Sequence, residues 1–196
     1  MNIQKANALS DESLVKAVLA GDRKAFGLII KQSEGLVAQM TFKMINSPGD
    51  RKDIAQDVFL KVYKNLSKFQ YKSKLSTWIG QITYNTCLNY LEKKKLVLMD
   101  DFDMHETPET DVHADTHSSV EELLFSKELT SILNSEIDKL RPLYKTLISL
   151  YHQEELSYAE ISEITSLPEG TVKNYIFRAR KVLKGSILFK YKRSEL

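Results

Sequence analysis

Between Leu156 and Lys184 the sequence LSYAEISEITSLPEGTVKNYIFRARKVLK carries two short helical patterns with only a few turn residues between them. No other stretch constrains the chain as much, because two short amphipathic helices so closely joined read as a helix-turn-helix. Ser157 followed by Glu160 is a capping-box start, and Tyr158, Ile161 and Ile164 give the first helix one apolar stripe. Pro168 suits the first turn of the second helix, where its missing N–H costs nothing. There Val172, Ile176, Ala179 and Leu183 form a single buried stripe, which turns Asn174, Phe177, Arg178 and Lys181 the opposite way. A cationic face with one amide suits the major groove of DNA, where Arg pairs with guanine and Asn with adenine. The same pattern also describes an ordinary helical hairpin with a solvated basic face.

Composition bounds the remainder. With 196 residues, 42% hydrophobic and 28% charged, the chain can bury real cores. Only 7 Gly and 4 Pro, with long 3.6-residue periodicity and little strict alternation, predict an all-α fold. No apolar run reaches a membrane span, and the polar start MNIQKANALSDES lacks the apolar block of a signal peptide, so a cytoplasmic protein is expected. Cys87 is the only cysteine, which excludes an internal disulfide and reads as a small core residue. The net charge of +2 hides strong segregation. Eight lysines face one acid between Lys61 and Lys95, nine acids and no Lys or Arg lie between Asp100 and Glu122, and eight basic residues face two acids from Glu169 onward.

Taken in order, a helix beginning near Ser10 is closed by Gly21, and a second starts at Asp22. A third pattern runs through Leu36, Val37, Met40, Phe42, Met44 and Ile45 to a turn at Asn46-Ser47-Pro48-Gly49. The helix from about Arg51 to Leu66 has a core stripe of Ile54, Val58, Phe59, Val62 and Leu66. Its other face gathers Asp53, Gln56, Asp57 and Leu60, a mixture compatible with a protein-binding patch or with a scattered surface leucine. In KFQYKSKLSTW, from Lys68 to Trp78, Phe69 and Tyr71 alternate with lysines. Rings that stack on unpaired bases, beside ammonium groups for phosphate, are what single-stranded nucleic acid requires. Ser76 is expected to cap a helix running to about Lys95, on which Trp78, Gln81, Asn85 and Asn89 share a face.

From Leu96 to Ser119 the chain is acidic, poor in large apolar residues and without helical period, so a linker is expected there. His113 and His117 have the spacing of a metal pair, but without a helix or cysteines around them no metal site is assigned. Beyond the linker, Ser119 and Glu122 make another capping box, and a helix through Leu123, Leu129, Leu133, Ile137 and Leu140 stops before Pro142. With a further helix through Leu143, Leu147, Ile148 and Leu150, it completes a four-helix domain around the helix-turn-helix. The organisation expected is a helical domain at residues 1–95, a flexible acidic linker at 96–119 and a helix-turn-helix domain at 120–196.

Three motifs, DIAQDVFLKVYKNL, LSTWIGQITYNTCLNYL and LSYAEISEI…LPEGTVKNYIFRARKVL, occur in an order and spacing that resemble a bacterial RNA polymerase sigma factor of the extracytoplasmic-function (ECF) type, across nearly the whole chain. The resemblance implies a non-enzymatic, two-domain factor that joins core RNA polymerase and directs it to promoter DNA. The first domain would bind the polymerase clamp and melt the minus-ten element, and the second would read the minus-thirty-five element. Carried over by position, the clamp contact falls on Asp53, Gln56, Asp57 and Leu60. The base-capturing loop corresponds to Phe69 through Lys74, including Tyr71, Lys72 and Ser73, and the base-reading helix offers Trp78 and Asn85 beside Gln81 and Asn89. The major-groove positions correspond to Lys173, Asn174 and Arg178, on one face with Phe177 and Lys181, and Ser157, Tyr158, Gly170 and Thr171 lie near phosphates.

The resemblance further implies no cofactor and no small-molecule substrate, an anti-sigma partner, and an acidic linker threading toward the polymerase active centre. Gln81 stands where the family usually has Arg, Glu92 interrupts its usual basic run, and Thr165 and Ser166 replace its usual turn glycine. The preferred promoter therefore cannot be copied from a relative. A stand-alone helix-turn-helix regulator would account for Leu156 to Lys184, but it leaves the Trp78 helix and the lysine-aromatic loop unexplained.

Overall fold

Local capping sets where the first helices begin. In the computed structural model, which describes residues 10–98 and 132–194, helix α1 (Asp11–Leu19) starts where the Ser10 hydroxyl accepts the Ser13 N–H. It ends at Ala20, and Gly21 follows with φ +98°, a left-handed conformation that a β-carbon disfavours. The Asp22 carboxylate opens helix α2 (Arg23–Met44) by accepting from the Lys24 and Ala25 N–H groups.

Here the structure corrects the expectation of two separate helices between Asp22 and Asn46, because α2 runs unbroken for 22 residues. Gly35 lies inside it at a cost of about 1 kcal/mol relative to alanine. Burial of Ile29, Ser33, Leu36, Val37, Met40 and Met44 along one face outweighs that cost. Helix α3 (Pro48–Asn65) also begins earlier than expected, since Pro48 and Gly49 form its first turn behind the Ser47 cap. A 3₁₀ turn (Leu66–Lys68) and an irregular loop lead to helix α4 (Leu75–Leu98), which extends beyond the boundary expected at residue 95. Ser76 does not begin this helix. The Leu75 N–H is instead accepted by Asp11 Oδ2 of α1 at 2.8 Å.

Residues 132–139 are helical (α5), and helices α6 (Pro142–His152), α7 (Tyr158–Thr165) and α8 (Glu169–Ser194) follow. Residues 99–131 lie outside the described residues, and with them most of the acidic linker, His113, His117 and the Ser119–Glu122 pair. Among the described residues every regular element is helical. In the first half, α1, α3 and α4 pack against α2, and in the second half α6 and α7 pack against α8. The halves also meet, α2 against α6 and α4 against α7, so one hydrophobic core runs from Leu14 to Leu183.

Candidate nucleic-acid interface

The helix-turn-helix is built much as its residues dictate. The Ser157 hydroxyl accepts the Glu160 N–H at 3.2 Å while Glu160 Oε2 accepts the Ser157 N–H at 2.9 Å, closing the capping box. Helix α7 ends at Ser166 in left-handed conformation (φ +57°), a geometry that glycine would adopt more readily. Pro168 stands one residue ahead of α8, and its carbonyl accepts the Thr171 and Val172 N–H groups at 2.8 and 3.0 Å. Val172, Ile176, Ala179 and Leu183 are buried, and Lys173, Asn174, Phe177, Arg178 and Lys181 are exposed along the other side.

Phe177 is the most outstanding of these, 65% exposed in the middle of a polar face. Such a ring has a use in the major groove, against the thymine methyl. Lys173 pairs with Glu169 at 2.8 Å and lies over the Tyr158 ring at 5.4 Å. Tyr158 stacks on Tyr151, ring centroids 4.8 Å apart, and the Arg180 guanidinium lies over Tyr151 at 5.1 Å. Burial and then Arg180 depress the His152 pKa, and the neutral ring nitrogen accepts from Arg180 Nε at 3.2 Å. Gly170, exposed, and Thr171, half-buried, sit in the first turn of α8, where backbone N–H groups and the helix dipole favour an anion.

In the first half the structure separates residues that the sequence treats alike. Phe69 is only 7% exposed, its ring against Tyr71 at 4.8 Å and Trp78 at 5.3 Å. Tyr71 is 44% exposed and held at φ +57°. Phe69 thus anchors the loop while Tyr71 displays a ring, flanked by exposed Lys72 and Lys74 with Ser73 half-buried. Trp78 and Gln81 are half-buried on α4, and Asn85 and Asn89 are exposed. The loop and the Trp78 helix therefore meet, as their spacing suggests, around one aromatic cluster.

Asp53, Gln56, Asp57 and Leu60 all lie on the exposed side of α3, Leu60 at 57% exposure, with Asp57 paired to Lys61 at 2.7 Å. One neighbour was not singled out from sequence. Tyr63, 53% exposed, follows Leu60 by one turn and meets Phe26 of α2 edge-on at 4.9 Å. Its position three residues after Leu60 was the available signal. Two further contacts were illegible because they cross between the halves. Lys74 Nζ pairs with Glu160 Oε1 at 2.7 Å, and a β-carbon on Gly80 would come within 3.0 Å of Ile164. Among the described residues no group of three or more His, Cys, Asp or Glu is placed to hold a metal ion. Burial lifts the Cys87 thiol to about 12, which leaves it protonated and inert.

Comparison with known proteins identifies the family. Residues 29–97 match the family model for Sigma-70 region 2, and residues 131–183 match that for Sigma-70 region 4. The ECF RNA polymerase sigma-E factor of Haemophilus influenzae is 33% identical, over 93% of this chain and 97% of the relative. The ECF RNA polymerase sigma factor SigW of Bacillus subtilis is 32% identical, over 87% of this chain and 92% of the relative. The fold is similar to that of CnrH in complex with the cytosolic domain of CnrY (TM-score 0.61, 20% identity, 90% of this chain and 96% of that one). It is also similar to the sigma factor RpoE in complex with the anti-sigma factor NepR from Bartonella quintana (TM-score 0.60, 20% identity, 83% of this chain and 96% of that one). On the strength of relatives at this identity spanning nearly its whole length, the chain belongs to the ECF RNA polymerase sigma factors.

Proposed function

We propose that this chain binds core RNA polymerase and directs it to promoters, reading the minus-thirty-five element with α8 and capturing melted minus-ten bases with the loop before α4. One observation carries the reading. A single chain offers two separate surfaces of different nucleic-acid chemistry, the exposed Lys173–Asn174–Phe177–Arg178–Lys181 face suited to duplex and the Tyr71–Lys72–Lys74 loop suited to single strand. Ser157, Tyr158, Gly170 and Thr171 contact phosphates beside the first surface. Trp78, Gln81, Asn85 and Asn89 extend the second, with Phe69 beneath.

The face of Asp53, Gln56, Asp57 and Leu60, lengthened by Tyr63, docks on the polymerase. Its rim acids set approach and register while the apolar side chains are desolvated. In this reading residues 1–95 serve the clamp and the minus-ten element and residues 120–196 the minus-thirty-five element, joined by the acidic linker. The chain contributes no catalysis, since phosphodiester chemistry and its metal reside in the polymerase, and it needs no cofactor or small-molecule substrate. It works in the cytoplasm. Solved relatives bound to CnrY and NepR support a further protein partner of the anti-sigma kind.

Run-off transcription from genomic fragments, with core RNA polymerase in the presence and absence of the chain, tests the proposal. Promoter-specific transcripts should require both components, and Arg178→Ala should weaken minus-thirty-five recognition by roughly 1–3 kcal/mol. Unchanged transcription with that variant would place the recognition face elsewhere. A stand-alone regulator would instead shift operator duplex tightly without polymerase.

A further inference from the structure

Two lysines that belong to neither DNA surface are buried within electrostatic reach of one another. Lys43 of α2 is 7% exposed and Lys145 of α6 is 6% exposed, at a junction where α2 packs on both α3 and α6. Lys43 Nζ pairs with Asp138 Oδ1 of α5 at 3.0 Å. Lys145 has no hydrogen bond or ion pair among the described residues. Its ammonium is nonetheless reached by solvent, since the sealed side-chain atoms without a partner among those residues are Gln39 Oε1 and Thr77 Oγ1. Arg51 of α3 completes the group. Its Nε and Nη2 donate to the carbonyls of Ile45 and Asn46 at 2.6 and 3.2 Å, and its guanidinium lies over the Phe42 ring at 4.2 Å. Nη1 keeps its N–H groups uncommitted among the described residues.

Buried charge without a partner is costly, and most such groups are paired. Here the pairing is incomplete. Burial lowers the Lys145 pKa, Asp138 raises it, and Lys43 and Arg51 lower it further. Three cations less one carboxylate leave two positive charges unmatched. The other nearby acids are engaged elsewhere, Asp50 with Tyr90 and Lys94 and Glu136 with Lys139. A second carboxylate would match one of the two charges. A phosphate monoester, at about −1.5 to −2 near pH 7, matches both.

We propose that this junction binds the phosphate group of a small molecule, with Lys43 and Lys145 as point charges, the free edge of the Arg51 guanidinium as a fork, and Asp138 at the rim. Guanidinium and ammonium groups are the usual protein donors to phosphate oxygens. Depth excludes nucleic acid as the source, because ammonium groups on side chains 6–7% exposed lie too far in for a duplex backbone. A small anion reaches them. Phe42, 47% exposed beside the guanidinium, offers a ring against which a base can lie, so the phosphate can be free or carried by a nucleotide.

Amide NMR of the full chain, titrated at fixed ionic strength and neutral pH with inorganic phosphate, ADP or acetate, tests the site. Phosphate should shift the amides around Lys43, Arg51 and Lys145 saturably and raise the titration midpoint of Lys145 toward its ordinary 10.5. Acetate should bind roughly tenfold more weakly or worse, having one charge to offer. Binding of ADP that is tighter than that of phosphate, and is reduced to it by Phe42→Ala, assigns a nucleotide; equal affinities assign free phosphate. Lys145→Met keeps the buried stem, removes the charge, and should weaken phosphate binding by roughly tenfold. Should that variant fail to fold, Asp138→Asn, at a half-exposed carboxylate, is expected to tighten binding severalfold by removing the one negative charge. No saturable shift with phosphate or ADP, acetate as tight as phosphate, or a folded Lys145→Met that binds unchanged would each overturn the proposal. None of these side chains belongs to the surfaces assigned to polymerase or promoter, so neither result bears on the proposed function.

Discussion

Phe69 and Tyr71 are two residues apart in a lysine-rich loop, and pattern alone gives them one role. Burial divides them. Phe69 is 7% exposed with its ring against Trp78 and Tyr71, so Phe69→Ala removes core packing and should cost roughly 3–5 kcal/mol of stability in chemical denaturation. Tyr71→Ala deletes a ring that is 44% exposed, from a backbone already at φ +57°, and should move the denaturation midpoint far less than Phe69→Ala. Its effect belongs to DNA opening. Losing one stacking ring should weaken capture of the melted strand by about 1–3 kcal/mol, read as reduced permanganate reactivity of unpaired thymines in the polymerase–promoter complex. The reverse assignment, a stable Phe69→Ala and an unfolded Tyr71→Ala, would show that the loop is anchored the other way round.

Helix boundaries were legible where the cap is local and illegible where it is not. Ser10, Asp22 and Ser157 each accept an N–H two or three residues ahead, and short sequence windows contain both partners; Ser47 does the same for Asp50, but Pro48-Gly49 beside it reads as a turn and hides the cap. The start of α4 is different, since its acceptor is Asp11, 64 residues earlier. No window finds such a pair, which is why Ser76 was expected to do this work. Asp11→Ala should therefore cost about 0.5–2 kcal/mol and speed hydrogen exchange in the first turn of α4, while Ser76→Ala should change neither. The fusion of two expected helices into α2 has a related cause. Gly35 reads locally as a break, and the burial that overrides it comes from α1, α3, α4 and α6 packed along the same helix. Conversely the face of α8 was fully legible, because a single helical period fixes both Val172, Ile176, Ala179 and Leu183 inside and Asn174 and Arg178 outside.

At the scale of the molecule the sequence supplies two sets of helices and is silent on how they meet, because a contact such as Lys74 with Glu160 depends on no local period. That pair makes the meeting measurable by pH. The Lys74 ammonium, followed by the Ser157 N–H and hydroxyl, holds the Glu160 carboxyl down to about 2 from its ordinary 4.5. A depressed carboxylate stabilises the arrangement in which it is depressed. The contribution is complete above about pH 4.5, where Glu160 is charged whether or not the halves touch, and it is lost as pH falls through about 2. Asp11 also acts on Lys74 by charge, but Glu160 accepts its hydrogen bond. Carboxyl carbon shifts of Glu160 followed by NMR against pH should thus give a midpoint near 2 in the free chain. In Lys74→Gln the largest cause is gone while Ser157 remains, so the midpoint should rise toward 4.5 without reaching it. Identical midpoints in the two proteins would mean that Ser157 alone depresses Glu160 and that the halves do not meet at this pair in solution.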